Sequence, residues 1–392
     1  MVPPARSIRV GAEEVSTPEL YRVKIQCMSP LALRRQIGQL LIAGFNGAQP
    51  PVELRSLARE FGLGGAILFA RNVEEPAQVA ELSFELARLT PDMPAWVSVD
   101  QEGGRVARLK APFTEWPPMA TLGRSGDTAL AERFARALAV ELRSVGITLD
   151  YAPVLDIHTN PKNPVIGDRA LAEKARTVAD LGAAIVRVLQ SEGVAACGKH
   201  FPGHGDTSAD SHFELPLVEH PPELLREREF LPFAAAIAAG VATMMTAHVF
   251  IPALDEERPA TLSKRIVTGL LREELGFQGV ILSDDLEMKA LAAERSVPES
   301  AVQAIAAGCD GVLVCSGNHD VQAAALEALV RETEADQAFS RRVDDALVRN
   351  RRAKERFLTA AIGASPLNPA ALRRVLGHDD HKRIADDMAR FA

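Results

Sequence analysis

GVILSDDLEMKALAAERSVPESAVQAIAAGCDGVLVCS, residues 279–316, holds one whole unit of the fold. Its ends, 279–284 and 311–316, are short apolar runs. Between them, 297–308 reads as a helix. Neither run alternates apolar with polar, which is the pattern of parallel strands covered on both faces. The unit recurs along the chain. Strands are expected at 39–45, 64–70, 94–100, 149–156, 194–200 and 242–249 as well, making eight. Helices are expected at 51–62, 77–89, 127–145, 173–192, 221–239, 263–275 and 320–336. The segment 127–145 is the clearest. Leu130, Phe134, Leu138 and Leu142 line one face, Asp127 can cap the start, and Gly146 follows the end.

Eight strand–helix units make either a closed barrel or an open doubly wound sheet. No glycine-rich dinucleotide fingerprint follows the first strand. The expected fold is therefore α/β, a single (β/α)8 TIM-type barrel over 29–360. An N-terminal extension over 1–28 and a C-terminal helical tail over 361–392 complete it. The tail past Pro366 reads as one or two packing helices or a frayed end.

Composition narrows the class. The chain has 392 residues, 47% of them hydrophobic, which supports a large core and argues against disorder. Forty-four Lys and Arg against 52 Asp and Glu leave a net charge of −8, and no basic stripe with interleaved aromatics occurs, so nucleic acid is not an expected partner. Cys27, Cys197, Cys309 and Cys315 form no CxxC pair and read as free thiols, suiting a reducing compartment. The first residues show no apolar signal core, and no apolar run approaches a membrane span. A soluble, cytoplasmic monomer without a membrane partner is expected.

Polar residues gather where the strands end, which is where barrels carry their chemistry. The third strand ends in Asp100, followed by Gln101-Glu102-Gly103-Gly104-Arg105. The fourth ends in Asp156 and leads to a loop with Asn160, Asn163, Asp168 and Arg169. The fifth ends in Lys199-His200, the sixth in His248, and the seventh in Ser283-Asp284-Asp285. Salt bridges and caps that anchor loops could account for any one of these residues. Convergence from five strands favours a site.

The richest loop is KHFPGHGDTSADSH, 199–212. His200, His204 and His212 with two aspartates could suggest a metal. No His-x-His or His-x-x-x-His helix pair sits beside the needed carboxylates, and the Lys199 cation would oppose a metal. Asp210 and His212 sit at i and i+2. In extended chain they share a face, so the carboxylate can orient the imidazole as a general acid/base.

KHFPGHGDTSADSHFELP (199–216), VDQEGGRVARL (99–109), DIHTNPKNPVIGDRA (156–170), MTAH (245–248) and SDDLEM (283–288) together resemble glycoside hydrolase family 3. The likeness is to its bacterial β-N-acetylglucosaminidase branch and covers roughly residues 30 to 350. The resemblance implies Asp284 as nucleophile and His212, held by Asp210, as acid/base. Asp100, Arg169, Lys199 and His200 match positions that hydrogen-bond the hydroxyls of the sugar, with Arg105 and His204 as lesser members. It implies no metal and no cofactor. One departure is the stretch after Arg169, Ala-Leu-Ala, where the family usually has an aromatic residue and a glycine. β-Glucosidases of this family take a carboxylate acid/base from a second domain, which the His-based branch does without.

The activity so implied is retaining hydrolysis of terminal non-reducing β-linked N-acetylglucosamine, from muropeptides in peptidoglycan recycling, through a glycosyl-aspartate. A β-glucosidase-type activity on the same barrel is one alternative, and three further readings stay open beside it. One is phosphorolysis, since a neutral histidine does not repel phosphate. Another is a metal-dependent hydrolase using His200, His204 and His212. The third is a non-catalytic sugar-binding barrel.

Overall fold

The computed structural model describes residues 28–90, 93–211, 214–359 and 365–392. Eight parallel strands close into a barrel. They are β1 (Leu41–Ala43), β2 (Gly65–Leu68), β3 (Trp96–Val99), β4 (Leu149–Asp150), β5 (Ala195–Phe201), β6 (Thr243–Thr246), β7 (Val280–Asp285) and β8 (Gly311–Val314). Closure comes from β1, which pairs Leu41 with Val312 of β8 and Ile42 with Gly65 of β2. All eight lie at the expected places. The barrel is a single (β/α)8 unit with helices around it.

Each strand faces two cores. Ile42, Ile67, Trp96, Leu149, Tyr151, Leu282 and Leu313 fill the inside, and a larger apolar layer seals the strands against the helices. Two-sided burial explains why the strands read as unbroken apolar runs. The inner core continues into Phe357 and Leu358 from the end of the helix Gln337–Leu358, and Phe357 lies against Trp96 at 6.3 Å between ring centroids.

Some elements differ from expectation. The fourth strand is only Leu149–Asp150, and Pro153 just beyond it has no N–H to continue the ladder. Its pairing with β5 goes on through single bonds: Cys197 N–H to Ala152 O, and Leu155 N–H to Lys199 O. The helix expected at 221–239 has a π-wound stretch at Leu225–Glu229, and the one expected at 263–275 is π-wound over Arg265–Glu274. Three short helices carry too few turns for a periodic signal: Pro30–Gly38, Met119–Ser125 and Lys289–Ala292. A small antiparallel hairpin, Gln101–Gly103 with Val106–Ala107, follows β3.

Past Pro366 the chain forms two helices, Pro369–Val375 and Asp379–Ala389, with Leu372, Leu376, Ile384 and Met388 in the core. The tail is also held by one buried carboxylate. Glu141 accepts from Thr114 N and Oγ1, from Gly377 N, and meets His381 Nδ1 at 2.7 Å. Glu141→Ala would strand a buried backbone donor. It is expected to cost about 2–3 kcal/mol in urea unfolding and to open the chain after Leu358 to limited proteolysis. Unchanged stability and cleavage would show that apolar packing alone docks the tail.

Lys354 is buried near the barrel floor, and its ammonium donates to Gln39 Oε1 at 2.7 Å. Burial pushes its pKa down to about 7. An unfolded lysine titrates near 10.4, so above pH 7 the unfolded chain binds the extra proton. Stability conferred at this site should therefore rise with pH. Relative to Lys354→Met, the wild type should gain about 1.4 kcal/mol per pH unit between pH 7 and 9. Parallel stability curves for the two proteins would refute this.

Candidate active site

At the carboxyl ends of the strands lies a buried ion cluster. Lys199, on β5, bridges two carboxylates: Nζ is 2.7 Å from Asp100 Oδ1 and 2.6 Å from Glu102 Oε1. Arg169, on the turn Gly167–Arg169, grips the same Glu102 with a two-pronged contact, Nε to Oε2 at 2.9 Å and Nη2 to Oε1 at 2.8 Å. Glu102 and Lys199 are almost completely shielded from solvent, and Arg169 is nearly so. Burial by itself would raise the Glu102 carboxyl, but Arg169 and Lys199 hold it well below the usual range. Burial would likewise lower Lys199, and Asp100 and Glu102 instead keep it charged. Asp100 is partly open and also faces Arg108 at 3.4 Å.

Beside this cluster, Asp156 is fully buried. Its carboxylate meets His200 Nδ1 at 2.6 Å and accepts from the backbone N–H of His204 at 2.7 Å. Desolvation opposes its ionisation, yet His200 keeps its pKa below the ordinary value. The His204 ring is used up inside its own loop, with Nδ1 at 2.7 Å from Thr207 Oγ1 and Nε2 at 3.1 Å from Ser211 Oγ. Burial lowers its pKa to about 4, so it is neutral. Arg105 is half-exposed. It donates to the carbonyl oxygens of Val165 and Ile166 and lies 3.3 Å from Asp168, bracing the turn that carries Arg169.

Asp284 and Asp285 end β7. Burial would raise the Asp284 carboxyl, but His200, His248 and Lys199 bring it below the ordinary value. Burial pushes Asp285 up to about 7. Its Oδ1 accepts from the N–H groups of Glu287 and Cys315. His248 is fully buried, bonded to Thr261 Oγ1 and to the carbonyl oxygen of Asp285. The barrel thus brings together Asp100, Arg169, Lys199, His200 and Asp284. Asp210 is half-buried, and its carbonyl accepts from Glu214 N–H. His212 lies outside the described residues.

The expected set omits two residues. Glu102 is the hub of the ion cluster. Asn163 staples two loops, donating to the carbonyls of His204 and Gly205 while accepting from Val165 and Ile166 N–H. Glu102 had a signal: it stands two residues after Asp100 and so shares its face. Asn163 had none beyond its place in a polar loop. Among the described residues no group of three or more His, Cys, Asp or Glu side chains is placed to hold a metal. A groove of about 590 Å³ adjoins the Arg169 turn, lined by His158, Asp168 and Lys174 among others.

Residues 32–352 match the family described as glycosyl hydrolase family 3 N terminal domain. A beta-hexosaminidase of Nitrosomonas eutropha is 43% identical over 260 residues, which are 65% of this chain and 74% of that protein. Beta-hexosaminidase A of Pseudoalteromonas piscicida is 35% identical over 373 residues, 86% of this chain and 60% of that protein. Among solved structures, a family 3 β-N-acetylglucosaminidase from Paenibacillus sp. superposes with a TM-score of 0.86 at 42% identity, over 92% of this chain and 68% of that one. NagZ of Neisseria gonorrhoeae superposes with 0.73 at 31% identity, over 90% and 97%.

The ion cluster makes its own prediction. Glu102→Ala leaves two buried cations short of a partner and is expected to cost about 3–5 kcal/mol. Asp100→Ala, at the open edge, should cost less. Denaturant midpoints of the two variants decide it, and equal losses would show that Glu102 is not the hub.

Proposed function

We propose that this chain, which belongs to glycosyl hydrolase family 3 and is a glycoside hydrolase, is a retaining exo-β-N-acetylglucosaminidase. It removes the terminal non-reducing N-acetylglucosamine of cell-wall sugars. The observation that carries the reading is the state of Asp284. Its carboxylate ends a barrel strand, stays ionised among His200, His248 and Lys199, and adjoins a cluster able to bind sugar hydroxyls. Support for the sugar comes from relatives named beta-hexosaminidase and β-N-acetylglucosaminidase.

In this reading an Asp284 oxygen attacks the anomeric carbon. The bond to the leaving oxygen breaks as His212 gives that oxygen its proton. His212 then takes a proton from water, the hydroxide attacks the same carbon, and the ester to Asp284 breaks. Asp210 orients His212. Asp100, Lys199 and Arg169 form the sugar-binding wall, His200 completes it, and Arg105 and His204 hold the loops that shape it. We place the enzyme in the cytoplasm as a monomer acting on muropeptides in peptidoglycan recycling. Supporting that setting, the three described cysteines are free and buried, and no helix among the described residues is long and apolar enough to cross a membrane.

Asp284→Asn should fold normally and lose three or more orders of magnitude in turnover, since an amide cannot form the glycosyl ester. A 5-fluoro sugar should label a peptide within 279–290. Label on Asp285 or Asp100 would overturn the assignment. Hydrolysis should proceed without phosphate, and a sugar 1-phosphate as main product would replace hydrolase with phosphorylase. His212→Ala should cripple cleavage of a disaccharide and spare the first step on an activated aryl glycoside, with azide rescuing the second.

A further inference from the structure

The loop that carries Asp210 has both its feet joined by one side-chain pair. Asp206 stands on the outgoing limb and His220 at the end of the returning limb, and His220 Nε2 meets Asp206 Oδ2. Arg228, on the π-wound stretch Leu225–Glu229, reaches the same oxygen at 3.3 Å. Its Nε also donates to Glu229 Oε1 at 2.6 Å. Glu229 is buried and wedged under the start of the loop. At Gly203, with φ of 127°, an added Cβ would lie 3.1 Å from Glu229 Oε2. A chain of charged contacts therefore runs from Glu229, close beside Gly203 at the loop's origin, through Arg228 to Asp206 and His220.

Each limb between the feet is pinned separately. On the outgoing side Asn160 donates to Thr207 O and Ser208 Oγ, and Ala290 N–H donates to Ser211 O. On the returning side Val218 N–H donates to Phe250 O and Phe250 N–H to Pro216 O. These bonds tie each limb to the barrel, and near the tip Glu214 N–H donates to Asp210 O. At the feet the limbs are joined side chain to side chain by the Asp206–His220 contact, and Arg228 ties that contact to the helix.

We propose that Asp206, His220 and Arg228 are positioning residues. They set the spacing of the limbs and so fix how Asp210 and His212 are presented for proton transfer. The inference rests on the reading of His212 as acid/base. A partly exposed ion pair contributes little to overall stability, so its loss should be seen in chemistry rather than in folding. Misplacing a reacting group by about 1 Å can cost roughly 100-fold in rate. That loss should fall on the step that needs the proton.

The test uses the full chain and two substrates, the β-1,4-linked disaccharide of N-acetylglucosamine and its dinitrophenyl β-glycoside, with His212→Ala as reference. Asp206→Ala and His220→Ala should lower kcat/KM on the disaccharide by about tenfold or more. On the aryl glycoside the loss should stay under about threefold, and azide should speed aryl turnover and yield the β-glycosyl azide. Asp206→Asn and His220→Gln keep a neutral hydrogen bond and should fall between wild type and the alanine variants. If an alanine variant does not fold, the same ordering is read on Asn and Gln alone. Equal losses on both substrates, or none, would overturn the proposal. If His212→Ala discriminates between the substrates while the Asp206 and His220 variants do not, this inference alone falls. If His212→Ala does not discriminate, the acid/base reading falls and takes the inference with it.

Discussion

Glu102 and Lys199 have almost no access to water, and a buried charge is tolerable only when neighbouring charges and hydrogen bonds replace its hydration. Here the replacement is mutual. Lys199 sits between Asp100 and Glu102, and both Glu102 oxygens are claimed by the planar fork of Arg169. Two cations and two anions thus close on one another, drawn from β3 and its hairpin, the loop after β4, and β5. Moving Glu102 would take the carboxylate from Arg169 and leave Lys199 with Asp100 alone. That constraint fixes three adjoining strand ends relative to one another. Such positional control is what a barrel mouth needs if several loops are to act on one bond.

The loops inherit their positions from this cluster. Arg105 holds the carbonyls of Val165 and Ile166, which sets the turn from which Arg169 reaches Glu102. Asn163, in the same loop, accepts from Val165 and Ile166 and donates to His204 and Gly205, tying the loop after β4 to the loop after β5. Asp156 does the same from below, bonding the His200 ring and the His204 backbone. The glycines make this close approach feasible. A Cβ on Gly205 would lie 1.8 Å from Ile157 O, so only glycine lets the two loops touch there.

The fold was legible because two-sided burial writes each strand as a continuous apolar run, and eight such runs separated by helical periodicity admit few architectures. Most of the polar cluster was legible for a related reason, since Asp100, Lys199 and Asp284 each close an apolar run. What escaped was the role of Glu102 as hub: its i+2 spacing from Asp100 marks its face, but no local spacing marks a partner such as Arg169, 67 positions away. The Asp206–His220 brace escaped likewise. A polar residue in a glycine-rich loop reads as solvated until the returning limb is seen beside it. The short helices Met119–Ser125 and Lys289–Ala292 were illegible for want of turns. In the tail, the polar part of the docking runs through Glu141, the one charged residue of the helix Thr128–Ser144 that is buried.

Asp284 and Asp285 show how the barrel distributes charge among adjacent residues. Both are carboxylates, both are buried, and they follow one another on β7, so their side chains point to opposite sides of the strand. Desolvation pushes both toward the neutral form. What separates them is the company on each side. For Asp284 the field of His200, His248 and Lys199, with the Asp285 N–H, outweighs burial and holds its pKa below the ordinary value. Asp285 receives two backbone N–H groups, from Glu287 and Cys315, but the Glu287 carboxylate adds to burial, and its pKa stays near 7. Two adjacent anions in so dry a place would repel each other strongly. By allowing Asp285 to hold a proton near neutral pH, the fold lets Asp284 carry the negative charge alone. Environments that drive neighbouring carboxyl groups apart in pKa are how one protein assigns them different work. Here the assignment follows from strand alternation, which turns one residue toward the cations of the mouth and the next toward the β7–β8 backbone.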